Sequence, residues 1–223
     1  MGVGGEGGIR CIKAPLETLF SVFPSIYFCA MKNKLLGKYL LWVVLAIPAL
    51  LMLGGLLSGR VENLHHLLHP TGEFSARFLI IALVATPLLV LFPNGKVSRW
   101  LVRNRRYFGV ASFAYALLHL VFYLVDEGWA EAAEEFLGIG ILTGWLAFFI
   151  FVPLTLTSND TAMRRMGTAW KRLQRWVYLA AVLTFAHWVF IEYHWKPALV
   201  HFVPVLLLQI VRIVKVRRAT ATV

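Results

Sequence analysis

The sequence predicts an all-α, six-helix transmembrane bundle with both termini in the cytoplasm. Composition is the first reason: 59% of the 223 residues are hydrophobic, only 15% are charged, and the mean hydropathy is +0.72. A soluble globular domain carries about 25% charged residues, so this chain belongs with membrane proteins. The second is six apolar runs, at 39–58, 74–92, 107–125, 136–156, 173–191 and 197–214, each near the ~20 residues that cross a hydrocarbon core. The third is the placement of lysine and arginine between the runs. Nineteen lie in the N-terminal segment, the 93–106 and 157–175 loops and the tail, against two, Arg60 and Lys196, in the alternate segments. The positive-inside rule then sets both termini in the cytoplasm.

In chain order, residues 1–34 read as a poorly ordered extension. The opening MGVGGEGGIR is Gly-rich, but neither a strand before it nor a βαβ pattern after it makes it a phosphate loop. Met31 begins a basic flank, MKNKLLGK, that leads into the first span, so Met31 is expected to be the native start. The same stretch has the form of a signal peptide, but in a six-span chain it is expected to stay as an anchor. Residues 35–216 form one six-span domain and 217–223 a cytoplasmic tail. Pro48, Pro87, Pro153 and Pro204 fall inside spans, where neighbouring helices can satisfy the freed carbonyls, and are read as kinks.

The net charge of +11 does not indicate nucleic acid, because the basic residues sit in short segments between apolar runs. Cys11 and Cys29 make no CxxC or CxxCH pattern, which excludes a disulfide framework and covalent c-type heme.

Ionisable groups inside a span are costly and mark function by default. Of seven histidines, His65, His66 and His69 are expected in the outer loop, His194 at an outer helix end and His201 one turn inside. His119 and His187 remain. Counted from the cytoplasmic ends of spans three and five, they lie ~20 Å and ~22 Å along parallel helices. Two imidazoles at one depth, with Ala116, Ala180 and Ala186 nearby, fit a six-coordinate heme b. The plainer reading is a pair of interhelical hydrogen bonds. Zinc finds too few donors, with no cysteine or carboxylate expected at that depth. Arg77, about one turn below the outer surface, is a candidate partner for a heme propionate or a side chain snorkelling to headgroups. Phe113, Tyr115, Trp145 and Trp188 are candidates to line the cofactor or to pack the bundle.

Three blocks, TGEFSARFLIIALVATPL (71–88), RRYFGVASFAYALLHLVFYL (105–124) and LTSNDTAMRRMGTAWKRLQRWVYLAAVLTFAHW (156–188), resemble the ferric-reductase-like transmembrane family. Within it, they resemble the heme-binding subunits of periplasmic protein-methionine-sulfoxide reductase systems. The resemblance implies a six-helix b-type cytochrome of the bacterial inner membrane. It implies an electron-transfer subunit, not a catalyst alone, that takes electrons from the quinone pool or a flavin. The acceptor would be a periplasmic molybdenum-containing reductase. His119 and His187 match the family's heme histidines, Arg77 a basic position after the TG pair, and His69 a histidine before it. Gln174, in WKRLQRWVY, stands where the family has a histidine, which puts any inner-side heme or proton role in doubt. An outer heme is ~20 Å from the cytoplasmic surface. FMN or a quinone headgroup held near Arg99, Arg103, Arg164, Arg165 and Arg172 is expected to bridge that distance; topogenic charge is the other reading of these arginines. The same-class alternative is a ferric or other metal reductase subunit, and the alternative of another class is a non-redox transporter or assembly factor.

Overall fold

The computed structural model describes the backbone of residues 16–61, 63–192 and 195–221, with side chains for 37–61, 63–191 and 195–220. Among the described residues all regular structure is helical. The helices are α1 (Leu16–Leu57), α2 (His65–Leu91), α3 (Lys96–Asp126), α4 (Trp129–Glu134), a 3-10 turn (Glu135–Leu137), α5 (Ile139–Leu156), α6 (Asp160–Met166), α7 (Thr168–Gln174), α8 (Val177–Glu192) and α9 (Trp195–Ala221). The chain divides into two compact units, Met1–Val44 and Leu45–Val223. The histidines and the helices packed around them all belong to the second. The expected boundary of the N-terminal extension, at residue 34, falls inside α1, where side chains lie outside the described residues, as do Cys11, His194 and the start of the chain.

Five of the six expected spans are helices long and apolar enough to cross a membrane: Gly37–Leu57, His65–Leu91, Lys96–Asp126, Ile139–Leu156 and Trp195–Thr220. The fifth expected span, 173–191, is interrupted at Arg175 and Trp176, and the helix that follows, α8, has 16 residues. Helices also outrun their apolar runs. His65, His66 and His69 lie on the first turns of α2 and not in a loop, and Lys96 to Arg106 form the opening turns of α3. Hydropathy ends at the headgroups, whereas backbone hydrogen bonding carries on into water.

Without a hydrophobic drive between helices in lipid, polar contacts and small residues must hold the bundle. α2 and α3 form an antiparallel pair closed by a reciprocal bond: the buried Ser75 hydroxyl donates to Ser112 O and the Ser112 hydroxyl to Ser75 O, both at 2.9 Å. α5 and α8 form the second close pair. Ala180, fully buried, sits in a core with Leu79 and Leu83 of α2, Phe151 and Leu154 of α5, and Val205 of α9.

Two of the span prolines recruit side chains from other helices. Tyr115 is spliced into α1 beside Pro48: its hydroxyl donates to Leu45 O (2.9 Å) and accepts from Ala49 N–H (2.8 Å). Pro87 has no N–H to offer the carbonyl four residues earlier. That carbonyl, Leu83 O, accepts from Gln209 Nε2 of α9 at 3.0 Å instead. Gln209→Leu is therefore expected to cost about 1 kcal/mol by orphaning the carbonyl. In a Pro87→Ala background the backbone regains an N–H that can take that carbonyl, and the same change should cost much less. A double-mutant cycle of unfolding in mixed micelles measures the difference, and equal costs in both backgrounds would refute the pairing.

Candidate functional site

The expected histidine pair is brought together. His119 from α3 and His187 from α8 stand with ring centroids 6.1 Å apart and planes at 83°. Two imidazoles on opposite sides of one metal stand roughly 6 Å apart between centroids, taking about 2 Å for each metal–nitrogen bond and about 1 Å from nitrogen to ring centre. The observed spacing fits that arrangement.

Each ring is fixed by backbone. His119 Nδ1 lies 2.9 Å from Leu68 O of α2, and His187 Nδ1 lies 2.7 Å from Gly140 O of α5. A carbonyl can only accept, so Nδ1 carries the hydrogen in both rings and the lone pair sits on Nε2. This is the tautomer a metal-ligating histidine needs, with its other nitrogen donating to an outer partner. The Thr71 hydroxyl adds a longer contact to His119 Nδ1, at 3.3 Å. Backbone approaches both rings closely because glycines stand there. A Cβ on Gly72 would lie 3.3 Å from the His119 ring, and one on Gly144 would lie 2.7 Å from the His187 ring.

The rings border a cavity of about 580 Å³, within the range of small-molecule and cofactor pockets. Its wall is apolar around Ala116, Phe148 and Phe151, with Trp145 and Trp188 contributing indole surface. The rim is polar: His65, His66, His69, Tyr123, Glu127 and Glu135. At that rim His65 Nδ1 pairs with Asp126 Oδ2 at 3.0 Å, tying the start of α2 to the end of α3. Two histidine donors and an apolar wall of this size fit the chemistry of a heme, which His119 and His187 would hold.

The other predicted residues are placed as follows. His69 lines the cavity, its Nε2 3.8 Å from Glu73 Oε2. Arg77 lies outside the lining, pairs with Glu73 through one guanidinium nitrogen, and packs over the Phe74 ring. Phe113 and Tyr115 are not part of the wall; Phe113 stacks on Phe148 from behind it, and the Tyr115 hydroxyl is engaged on α1. Gln174 makes its contacts away from the histidines. Its Nε2 donates to Leu154 O (3.1 Å) and Thr157 Oγ1 (3.2 Å), closing the last turn of α5, while Trp170 Nε1 donates to Thr157 O at 2.9 Å.

Glu73 corrects the expectation that no carboxylate shares the level of His119. It follows the glycine that touches His119 and lines the same cavity, with a side chain only 19% exposed. The signal in the sequence was the i,i+4 spacing of Glu73 and Arg77, which lets two opposite charges enter a span as a neutral pair. The two carbonyls that hold the rings left no such signal.

Residues 71–185 match the ferric reductase like transmembrane component family. The protein-methionine-sulfoxide reductase heme-binding subunit MsrQ of Agrobacterium fabrum (strain C58 / ATCC 33970) is 36% identical over 140 residues, 61% of this chain and 61% of that relative. MsrQ of Yersinia pseudotuberculosis serotype O:1b (strain IP 31758) is 32% identical over 159 residues, 67% of this chain and 71% of its own length. MsrQ of Yersinia pestis (strain Pestoides F) is 32% identical over the same length, with 70% of its own length covered. No solved structure matches. The apolar helices, the histidine pair and these matches make the chain a multi-pass membrane protein that belongs to the ferric-reductase-like transmembrane family, together with the MsrQ heme-binding subunits.

Proposed function

We propose that this chain is a b-type cytochrome subunit of the bacterial inner membrane. It passes electrons from the cytoplasmic side or the quinone pool to a periplasmic, molybdenum-containing, MsrP-like reductase that repairs oxidised methionine. One observation carries the reading: two imidazoles 6.1 Å apart, each with Nδ1 committed to a backbone carbonyl. His119 and His187 would hold heme iron through Nε2, and the bound group supplies one-electron transfer. The wall excludes water and lowers the dielectric around it, which together with the carbonyl-bonded imidazoles tunes its potential. His69 is assigned to the propionate end, whereas Arg77, outside the lining, acts on the cavity only through its pairing with Glu73.

In this reading α8 completes a sixth span with its flanking turns, both termini face the cytoplasm, and the cavity rim faces the periplasm. The opposite end of the α2–α3 pair supports a donor site. A second, more open cavity of about 880 Å³ is bordered there by Leu89, Lys96, Arg99, Trp100 and Arg103. Cations beside an indole suit the phosphate and ring of FMN, or a quinone headgroup among membrane lipids. Arg99→Gln/Arg103→Gln is expected to slow quinol-driven heme reduction several-fold while dithionite still reduces the heme fully. Unchanged rates in correctly inserted protein would reassign these arginines to topology.

The test of the main reading is the reduced-minus-oxidised absorption spectrum of detergent-purified protein. It is followed by reoxidation on adding the purified periplasmic reductase and a methionine-sulfoxide substrate. A colourless protein purified from heme-replete cells would overturn the cytochrome. Sharp b-type bands that the reductase does not reoxidise would overturn the partner. A second reading, reduction of a ferric ion at the outer face, is favoured by the rim alone, where ligand atoms of His65, Asp126 and Glu127 lie within 4.8 Å of one another.

A further inference from the structure

The two halves of the site use one device twice. In α2, Leu68 O holds His119 and the residue four positions later is Gly72; in α5, Gly140 O holds His187 and the residue four positions later is Gly144. Each glycine is preceded by a threonine whose hydroxyl lies within hydrogen-bond reach of that carbonyl: Thr143 is 2.7 Å from Gly140 O, and Thr71 is 2.9 Å from Leu68 O and 2.7 Å from Leu67 O. The strings PTGEF and LTGWL are thus the same structural element, each followed one long helix later by the histidine it holds.

Helix geometry explains why glycine stands there. The carbonyl of residue i already accepts the N–H of residue i+4, so a ring from a neighbouring helix that bonds it must pass close over the i+4 position. A Cβ at that position stands in the path, and in this structure it would meet ring atoms Nδ1 and Cε1 of both histidines. At Gly144 the separation would be 2.7 Å, which forces a displacement; at Gly72 it would be 3.3 Å, which the ring can absorb by a small shift. The two sites are therefore unequal in a predictable order.

We propose that Gly72 and Gly144 are positioning residues: by lacking a Cβ they let His119 and His187 reach Leu68 O and Gly140 O, which fixes each ring's tautomer and aims Nε2 at the metal. The inference rests on reading the two histidines as heme ligands and adds what sets their aim. It also assigns an internal repeat to a chain whose two halves show no obvious sequence symmetry.

The test compares Gly144→Ala, Gly72→Ala and, as a control, Gly109→Ala, each purified as full-length protein and checked for folding by size exclusion. A mid-helix glycine replaced by alanine gains helix propensity of up to about 1 kcal/mol, and Gly109 has nothing within 4 Å of the added methyl, so Gly109→Ala should match wild type. Gly144→Ala is expected to lower the heme-to-protein ratio by roughly ten-fold or more, the size of effect seen when a group supporting a metal ligand is lost. Gly72→Ala should keep most of its heme but show shifted electron paramagnetic resonance g-values and midpoint potential, which a role in packing alone would leave in place. If Gly144→Ala does not fold, Gly72→Ala decides by the same two readouts. Wild-type heme content, g-values and potential in both variants would overturn the positioning role while leaving the ligands standing. A wild type without b-type bands would instead remove the ligand reading itself.

Discussion

His119→Ala and His187→Ala are each expected to abolish the b-type bands while leaving the bundle folded. The two losses differ greatly in size. As a structural contact each histidine offers one hydrogen bond to a carbonyl, and polar contacts of this kind between membrane helices contribute about 0.6 kcal/mol on average. As a ligand each supplies one of only two bonds from protein to iron, and every 1.4 kcal/mol lost is about a ten-fold weaker affinity. Removing either should therefore drop heme content by several orders of magnitude at little cost in stability. Pyridine hemochrome analysis of the purified variants, beside their unfolding midpoints, separates the two terms. His69→Ala, at the cavity edge, should keep the bands. Wild-type heme content in either of the first two variants would remove that histidine from the ligand set.

Ala180→Phe is expected to fail differently, by wedging the bundle apart. Ala180 is fully buried where α8 meets Leu79 and Leu83 of α2 and Phe151 and Leu154 of α5. Helices in lipid associate by close van der Waals contact at small residues, and a ring inserted at a position with no free volume must push α8 away. Overpacking of a tight core costs about 1–3 kcal/mol, and a phenyl group at a helix crossing belongs at or above the upper end. The damage reaches the site, because His187 is seven residues further along α8, ~10 Å or two turns away. Both the unfolding midpoint and the heme content should fall, whereas Ala180→Gly should lower the midpoint only by the ~1 kcal/mol of lost helix propensity and keep the heme. A folded, heme-replete Ala180→Phe protein would mean that α8 does not pack as described.

The spans were legible because apolar runs long enough to cross a bilayer are rare in soluble folds. Their ends were not, because the sequence marks the limit of lipid and the backbone does not stop there; α2, α3 and α9 all continue past it. The level of His119 and His187 could be counted from the rise per residue. What orients them could not, since Leu68 O and Gly140 O are backbone atoms and any residue type would supply them. Tyr115 shows the limit of reading by position: four residues before His119 on the same helix, it sends its hydroxyl to Leu45 O and Ala49 N–H of α1 and not toward the cavity. Glu73 is hard to foresee because an isolated acid in a span looks prohibitive until Arg77, one turn on, is counted with it.

The bond from Gln209 to Leu83 O sets an order of biogenesis. Helix α2 is made early and enters the membrane with one carbonyl that Pro87 leaves bare, in a segment where lipid offers it no partner. Its partner lies 126 residues later, on α9. Until α9 arrives, the nascent chain must carry that polar defect, shield it with water, or hand it to an insertase. A chain stopped short of Gln209 would thus display, within the membrane, a mark that it is unfinished, and quality-control proteases of the membrane would have a physical basis for telling it from one that carries α9.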